Sequence, residues 1–184
     1  MKRQLSLLVL ILSVFLPSGH SGADAGYRLH EGDLIAISVW GEDKLKEETR
    51  VLPDGSISFP LAGRMNVKGM TTSQVESSIK GRLTKYIPDA QVTVMVASPE
   101  GNRVYVLGKV TKPGAVVMNT PMTVTQALSL AGGLDKFAKE ERIKILRSTG
   151  EGQIQGFINY NDIMSGKDLR TNYDLQAGDT IVVP

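Results

Sequence analysis

Apolar and polar positions alternate with a period of two over residues 34–40. Ile35, Ile37 and Val39 share one face there, and Ala36, Ser38 and Trp40 share the other, which predicts a half-buried strand entered through a Gly32-Asp33 turn. The alternation returns at 56–59, with Ile57 and Phe59 set against Ser56 and Ser58. Before it stands Pro53-Asp54-Gly55. Proline presets φ for a type I turn, and glycine takes the left-handed position that closes a bulged hairpin. The pattern predicts a hairpin joining 49–52 to 56–59, stopped by Pro60, which has no donor, and followed past Gly63 by a short strand at 64–67. The period then lengthens. Val75, Ile79 and Leu83 recur every four residues, a buried helical stripe that Tyr86 extends, with an expected Glu76–Lys80 pair on the wet face. Thr71 is the N-cap, Gln74 completes a capping box, and Met70 packs on Val75 as a staple. Pro88 ends the helix, and 91–96 reads as a strand with Val92, Val94 and Val96 inward.

After the linker-like Ser98-Pro99-Glu100-Gly101-Asn102 the plan begins again. A strand at 103–107, a turn bracketed by Gly108, Pro113 and Gly114, and a partner strand at 114–118 precede a second capped helix. Thr123 and Gln126 repeat the capping box and Met122 the staple, so GMTTSQV and PMTVTQA occupy equivalent places. Ala127, Leu128 and Ala131 face the core, and Gly132-Gly133 supply a left-handed cap. Strands at 142–147 and 153–159, a helical turn at 161–164 and a last strand at 180–183, entered through Gly178-Asp179, complete the chain. The fold class is α+β in two small units, the first a mixed sheet plus helix and the second a β-grasp in which a helix crosses a mixed sheet after a hairpin.

The first 25 residues stand apart. Lys2 and Arg3 precede an apolar run from Leu5 to Leu16 that Pro17 breaks, and Ala23 and Ala25 offer a small-x-small cleavage site before Gly26, with cleavage after Ala23 as a second possibility. The run is shorter than the ~20 residues a spanning helix needs, so residues 1–25 read as a signal peptide. With Lys2, Arg3 and Asp24 gone, the net charge of +2 falls to +1, which gives no case for nucleic-acid binding. The sequence has no cysteine, so disulfides, thiolate metal sites and lipidation at the cleavage point are not expected.

Chemistry-bearing residues are sparse. Beyond residue 25 the sequence holds one histidine, His30, too little for a histidine metal cluster or relay, and no metal or other cofactor is expected. The glycines of GKVTKPG serve a hairpin and not a phosphate loop. Asp33, Asp54 and Asp179 each stand beside glycine at a turn, where a carboxylate bonds nearby backbone donors. An enzyme is not expected. Trp40 offers a capping core contact, the favoured reading, or a sugar platform. Lys80, Arg82, Lys85, Arg142 and Lys144 read as solvated, with guidance of an acidic polymer as the sharper alternative.

YRLHEGDLIAISVWGE and VLPDGSISFPLAGRMNVKGMTTSQVESSI resemble the polysaccharide export sequence domain of the Wza-like outer-membrane polysaccharide export proteins. VYVLGKVTKPGAVVMNTPMTVTQALSLAGGL and LQAGDTIVVP resemble the soluble ligand-binding β-grasp (SLBB) domain that follows it. The resemblance implies an export domain over 26–98 and an SLBB domain over 99–184. It implies an exported, periplasmic homo-oligomer that forms a ring for capsular or exopolysaccharide cargo, with an inner-membrane polysaccharide co-polymerase as partner. The sequence departs from longer members in lacking a lipidated cysteine and a C-terminal amphipathic helix after Pro184, and it has one SLBB unit. It therefore resembles a short form that works with a separate outer-membrane protein. A monomeric β-grasp module binding a saccharide or other small ligand is the alternative.

Overall fold

A computed structural model describes residues 26–184, so residues 1–25, read above as a signal peptide ending at Ala25, lie outside the described residues. The first unit holds β1 (Leu34–Val39), β2 (Lys46–Arg50), β3 (Ser56–Phe59), β4 (Gly63–Asn66), α1 (Thr72–Leu83) and β5 (Val92–Ser98). Alternation in β1 does what the sequence predicts: Ile35, Ile37 and Val39 are buried. They pack with Val75, Ile79 and Leu83 of α1 and with Ile57, Phe59 and Val67 in one core. The capping box of α1 is formed, the Thr71 amide donating to Gln74 Oε1 at 2.9 Å and the Gln74 amide to Thr71 Oγ1 at 3.4 Å.

Strand pairing differs from expectation. β2 pairs with β1 and β3 pairs with β4, so 49–52 and 56–59 are not partners in an extended hairpin. The Pro53-Asp54-Gly55 turn itself is present: the Gly55 amide donates to the Leu52 carbonyl, the Leu52 amide to the Ser56 carbonyl, and Gly55 has φ +77°. A turn residue fixes the local reversal, while the better cross-strand partner takes the strand beyond it. The three-stranded sheet β2-β1-β5, expected as mixed, is antiparallel on both sides of β1. The short β1–β2 connection admits only that direction. Tyr86, placed on the buried stripe, is exposed because α1 ends three residues earlier. Glu76 forms no pair with Lys80; its carboxylate accepts from the Val94 amide at 2.8 Å and ties α1 to β5.

A Cβ on Gly55 would lie 2.7 Å from Lys68 Cβ and 3.1 Å from Asn66 Nδ2. With the left-handed backbone added, Gly55→Val is expected to cost roughly 2–4 kcal/mol in a denaturant titration. An unchanged midpoint would show that the turn does not need glycine.

The second unit comprises β6 (Arg103–Gly108), β7 (Gly114–Val117), α2 (Val124–Leu130), β8 (Ile143–Thr149), β9 (Gly152–Ile158), α3 (Tyr160–Met164) and β10 (Thr180–Val183). Its sheet runs β7-β6-β10-β8-β9. β10 is parallel to β6 and every other pairing is antiparallel. First and last strands side by side in the sheet centre, with a helix packed on one face, make a β-grasp. Val124, Ala127 and Leu128 of α2 share a core with Val104, Val106, Ile145 and Ile181. That core and the first unit's core have no residue in common. The other sheet face is bare: Leu107, Val182, Lys144 and Phe157 align across four strands, beside Tyr105 and Val117.

Candidate functional site

Two turns with one geometry frame the junction between the units. In His30-Glu31-Gly32-Asp33 the Asp33 amide donates to the His30 carbonyl, and the His30 amide donates back to Asp33 Oδ2 at 2.8 Å. In Gln176-Ala177-Gly178-Asp179 the Asp179 amide donates to the Gln176 carbonyl, and the Gln176 amide returns to Asp179 Oδ2 at 2.8 Å. The third residue is a glycine at φ +95° or +89°. Each turn feeds a central strand, β1 or β10, and each aspartate is fully buried.

The remaining acceptor positions do different work. Asp179 takes a two-pronged contact from Arg147, with Nε at 2.8 Å and Nη2 at 2.7 Å, and these bonds raise the guanidinium above its ordinary value. Asp33 accepts from the Tyr27 hydroxyl at 2.7 Å and, through Oδ1, from the Gly101 amide at 2.8 Å. The stretch expected as a free linker is thus fastened to the first unit. Burial acts to raise the Asp33 carboxyl, and the bonds from His30, Tyr27 and Gly101 outweigh it, leaving it below its usual range. Burial and the Asp33 contact push the Tyr27 hydroxyl far upward, so it remains a donor. Its hydrogen goes to Asp33; the 3.2 Å contact with His30 Nδ1 is then a bond that His30 donates. Nε2 of that tautomer is an acceptor.

Above this knot lies an open cleft of about 640 Å³. Tyr27 and His30 line it from the first unit, and Asn102, Met118 to Pro121 and Leu175 to Ala177 from the second. Sequence reading found His30 and the two aspartates but missed Tyr27, Asn102, Asn119, Thr120 and Gln176. They come from separate segments and follow no periodicity, and the capping of the two turns was the only available pointer.

The other singled-out residues are dispersed. Asp54 accepts from the Ser56 amide and hydroxyl and from Arg64, on the surface. Gly63 opens β4, Pro113 and Gly114 lie at the β6–β7 turn, and Gly132 and Gly133 end α2 at φ +80° and +81°. Gly108 closes β6 against Val183. Gly26 sits on the cleft rim. Trp40 is 87% exposed, which corrects the core reading: strand parity sends it to the face opposite Ile35, Ile37 and Val39. Arg82 is not merely solvated, since it donates to the carbonyls of Ala62 and Arg64. Among the described residues no helix is long and apolar enough to cross a membrane, and no group of three or more His, Cys, Asp or Glu is placed to hold a metal ion.

Residues 21–97 match the family described as polysaccharide biosynthesis/export protein, and residues 102–183 match the SLBB domain. The EPS I polysaccharide export outer membrane protein EpsA of Ralstonia nicotianae is 29% identical over 83% of this chain and 50% of its own length. The polysialic acid transport protein KpsD of Escherichia coli is 28% identical over 90% of this chain and 30% of its own. The capsule polysaccharide export outer membrane protein CtrA of Neisseria meningitidis serogroup B is 24% identical over 92% of this chain and 46% of its own. The chain therefore spans half or less of the length of these relatives. With the two matches in sequence order and the β-grasp observed where the second falls, the chain belongs to the Wza-like family of polysaccharide export proteins, an export domain followed by an SLBB domain.

Proposed function

We propose that this protein is a periplasmic component of a capsular or exopolysaccharide export channel, acting as a homo-oligomeric ring through which the polymer passes. The observation that carries the reading is the ordered pair of matches across 21–183 beside relatives named for polysaccharide export. In this reading residues 1–25 are a signal peptide cleaved between Ala25 and Gly26, 26–98 form the export domain and 99–184 the SLBB domain. The turn glycines and aspartates are structural. An inner-membrane co-polymerase delivers the polymer, and a separate outer-membrane protein receives it. The mechanism is geometric and makes no bond, in keeping with aspartates whose oxygens are committed to backbone, tyrosine or arginine donors. Deleting the gene from its host is expected to abolish surface polysaccharide while precursors accumulate. Unchanged secretion would sink the reading.

Ring assembly needs a surface, and the bare face of the second sheet supplies an apolar one. Leu107 and Phe157 are 49% and 58% exposed there, and exposed apolar surface of this kind marks interaction sites. Leu107→Lys with Phe157→Asp is expected to reduce the mass seen by light scattering to that of one chain. The thermal midpoint of each unit should hold, because both side chains already face solvent. A wild-type protein that stays monomeric at high concentration would refute the ring.

A further inference from the structure

We propose that the cleft between the two units is a binding site for an uncharged stretch of glycan, an inference that rests on the export reading above. Its volume of about 640 Å³ falls within the roughly 300–1,000 Å³ typical of small-ligand sites. The lining chemistry selects the ligand. It contains no Lys, Arg, Asp or Glu; its polar side chains are the amides of Asn102, Asn119 and Gln176, the Thr120 hydroxyl, the His30 imidazole and the Tyr27 hydroxyl, the last committed to Asp33. Asn102 spends its Nδ2 on the Met118 carbonyl at 2.6 Å, which fixes the side chain and leaves its oxygen as an acceptor. The hydrogen bonds among the described residues leave the side chains of Asn119, Thr120 and Gln176 unclaimed, and Gln176 is anchored through its backbone amide alone. Together with Nε2 of His30 they present both donors and acceptors, which hydroxyl-bearing sugars need. The Tyr27 ring and Pro121 supply apolar surface for the C–H faces of a pyranose.

An acidic glycan is disfavoured at this place. A carboxylate entering the cleft would give up water and meet no Lys or Arg side chain, only the solvated α-ammonium that cleavage before the exposed Gly26 leaves on the rim, and the ionised, fully buried Asp33 lies beneath it. Because the lining is drawn from both units, a bound glycan bridges them, using the same turns that Asp33 and Asp179 hold.

The test is a titration of the purified protein with maltohexaose, mannohexaose and N-acetylchitohexaose, and with hexagalacturonate as the acidic counterpart, read by amide chemical shifts. At least one neutral probe is expected to shift Asn119, Thr120, Gln176 and Ala177, more strongly than hexagalacturonate does. Asn119→Ala with Gln176→Ala should weaken that binding at least tenfold at an unchanged thermal midpoint. Thr120→Ala provides a second, independent variant with a smaller loss. Silence with all three neutral probes, shifts confined to other surfaces, preference for hexagalacturonate, or full binding by the variants would each overturn the proposal. Gene deletion tests the export reading separately, so loss of polymer on deletion together with a silent cleft removes the binding site and leaves the export role standing.

Discussion

Gly108→Ala is expected to lower the stability of the second unit by about 3–5 kcal/mol, while Gly133→Ala should cost no more than about 1–2 kcal/mol. Both glycines have a left-handed backbone, at φ +94° and +81°, so conformational strain alone would penalise them alike. Their surroundings differ. A Cβ on Gly108 would stand 1.9 Å from the Val183 carbonyl oxygen, and a Cβ on Gly133 would find nothing within 4 Å. That same oxygen accepts from the Lys109 amide at 2.8 Å, so relieving the collision also breaks a bond between β6 and β10. For a unit of this size the larger loss corresponds to a fall of roughly 12–40 °C in the thermal midpoint. Scanning calorimetry of the two variants decides the matter. Equal losses would mean that backbone strain, and not the approach of the two central strands, is what glycine relieves at position 108.

Asp33→Ala is expected to destabilise the first unit by about 3–5 kcal/mol. It strands three donors at once: the Tyr27 hydroxyl and the amides of His30 and Gly101. The contribution has a pH signature. The folded carboxyl lies below its unfolded value of about 3.9, so its stabilisation is fully present above that value. It is lost as pH falls through the lower, folded value. The gap in urea midpoint between wild type and Asp33→Ala is therefore expected to be constant from pH 7 to about 5 and to close progressively below about pH 4. A gap that persists undiminished at pH 2 would show that the carboxylate's charge contributes nothing to the knot.

Local features of the chain were readable wherever neighbours in sequence decide them. Thr71 with Gln74, the Val75–Ile79–Leu83 stripe, the β6–β7 hairpin and the left-handed backbone of Gly55 and Gly132 all depend on residues within a few positions. The errors occur where a distant partner decides. Glu76 abandons the helical neighbour Lys80 for the Val94 amide, because an unpaired strand donor needs an acceptor. β2 leaves the turn-linked β3 for β1, which offers a five-residue ladder. Trp40 was misjudged for another reason: its place at a strand end suggested a capping core contact, although the alternation of β1 already assigned it to the outer face. The two units share capped helices and Gly-Asp turns, yet one sheet is antiparallel throughout and the other is mixed, so similar punctuation encodes different connectivity. The cleft was the least legible element. Its residues are ordinary loop amides until folding brings four segments together.

The insertion of β10 between β6 and β8 sets an order of events for a chain that emerges from its N-terminus. All pairings of the first unit lie between residues 34 and 98, so that unit closes early and on its own contacts. The second must wait for residues 180–183, and until they arrive β6 and β8 each present an unpaired edge in the middle of the future sheet. This long-range parallel closure is the slow step expected of the molecule, and the interval before it is when the protein is most open to aggregation. A factor that shields strand edges before the last strand arrives would therefore act chiefly on the second unit.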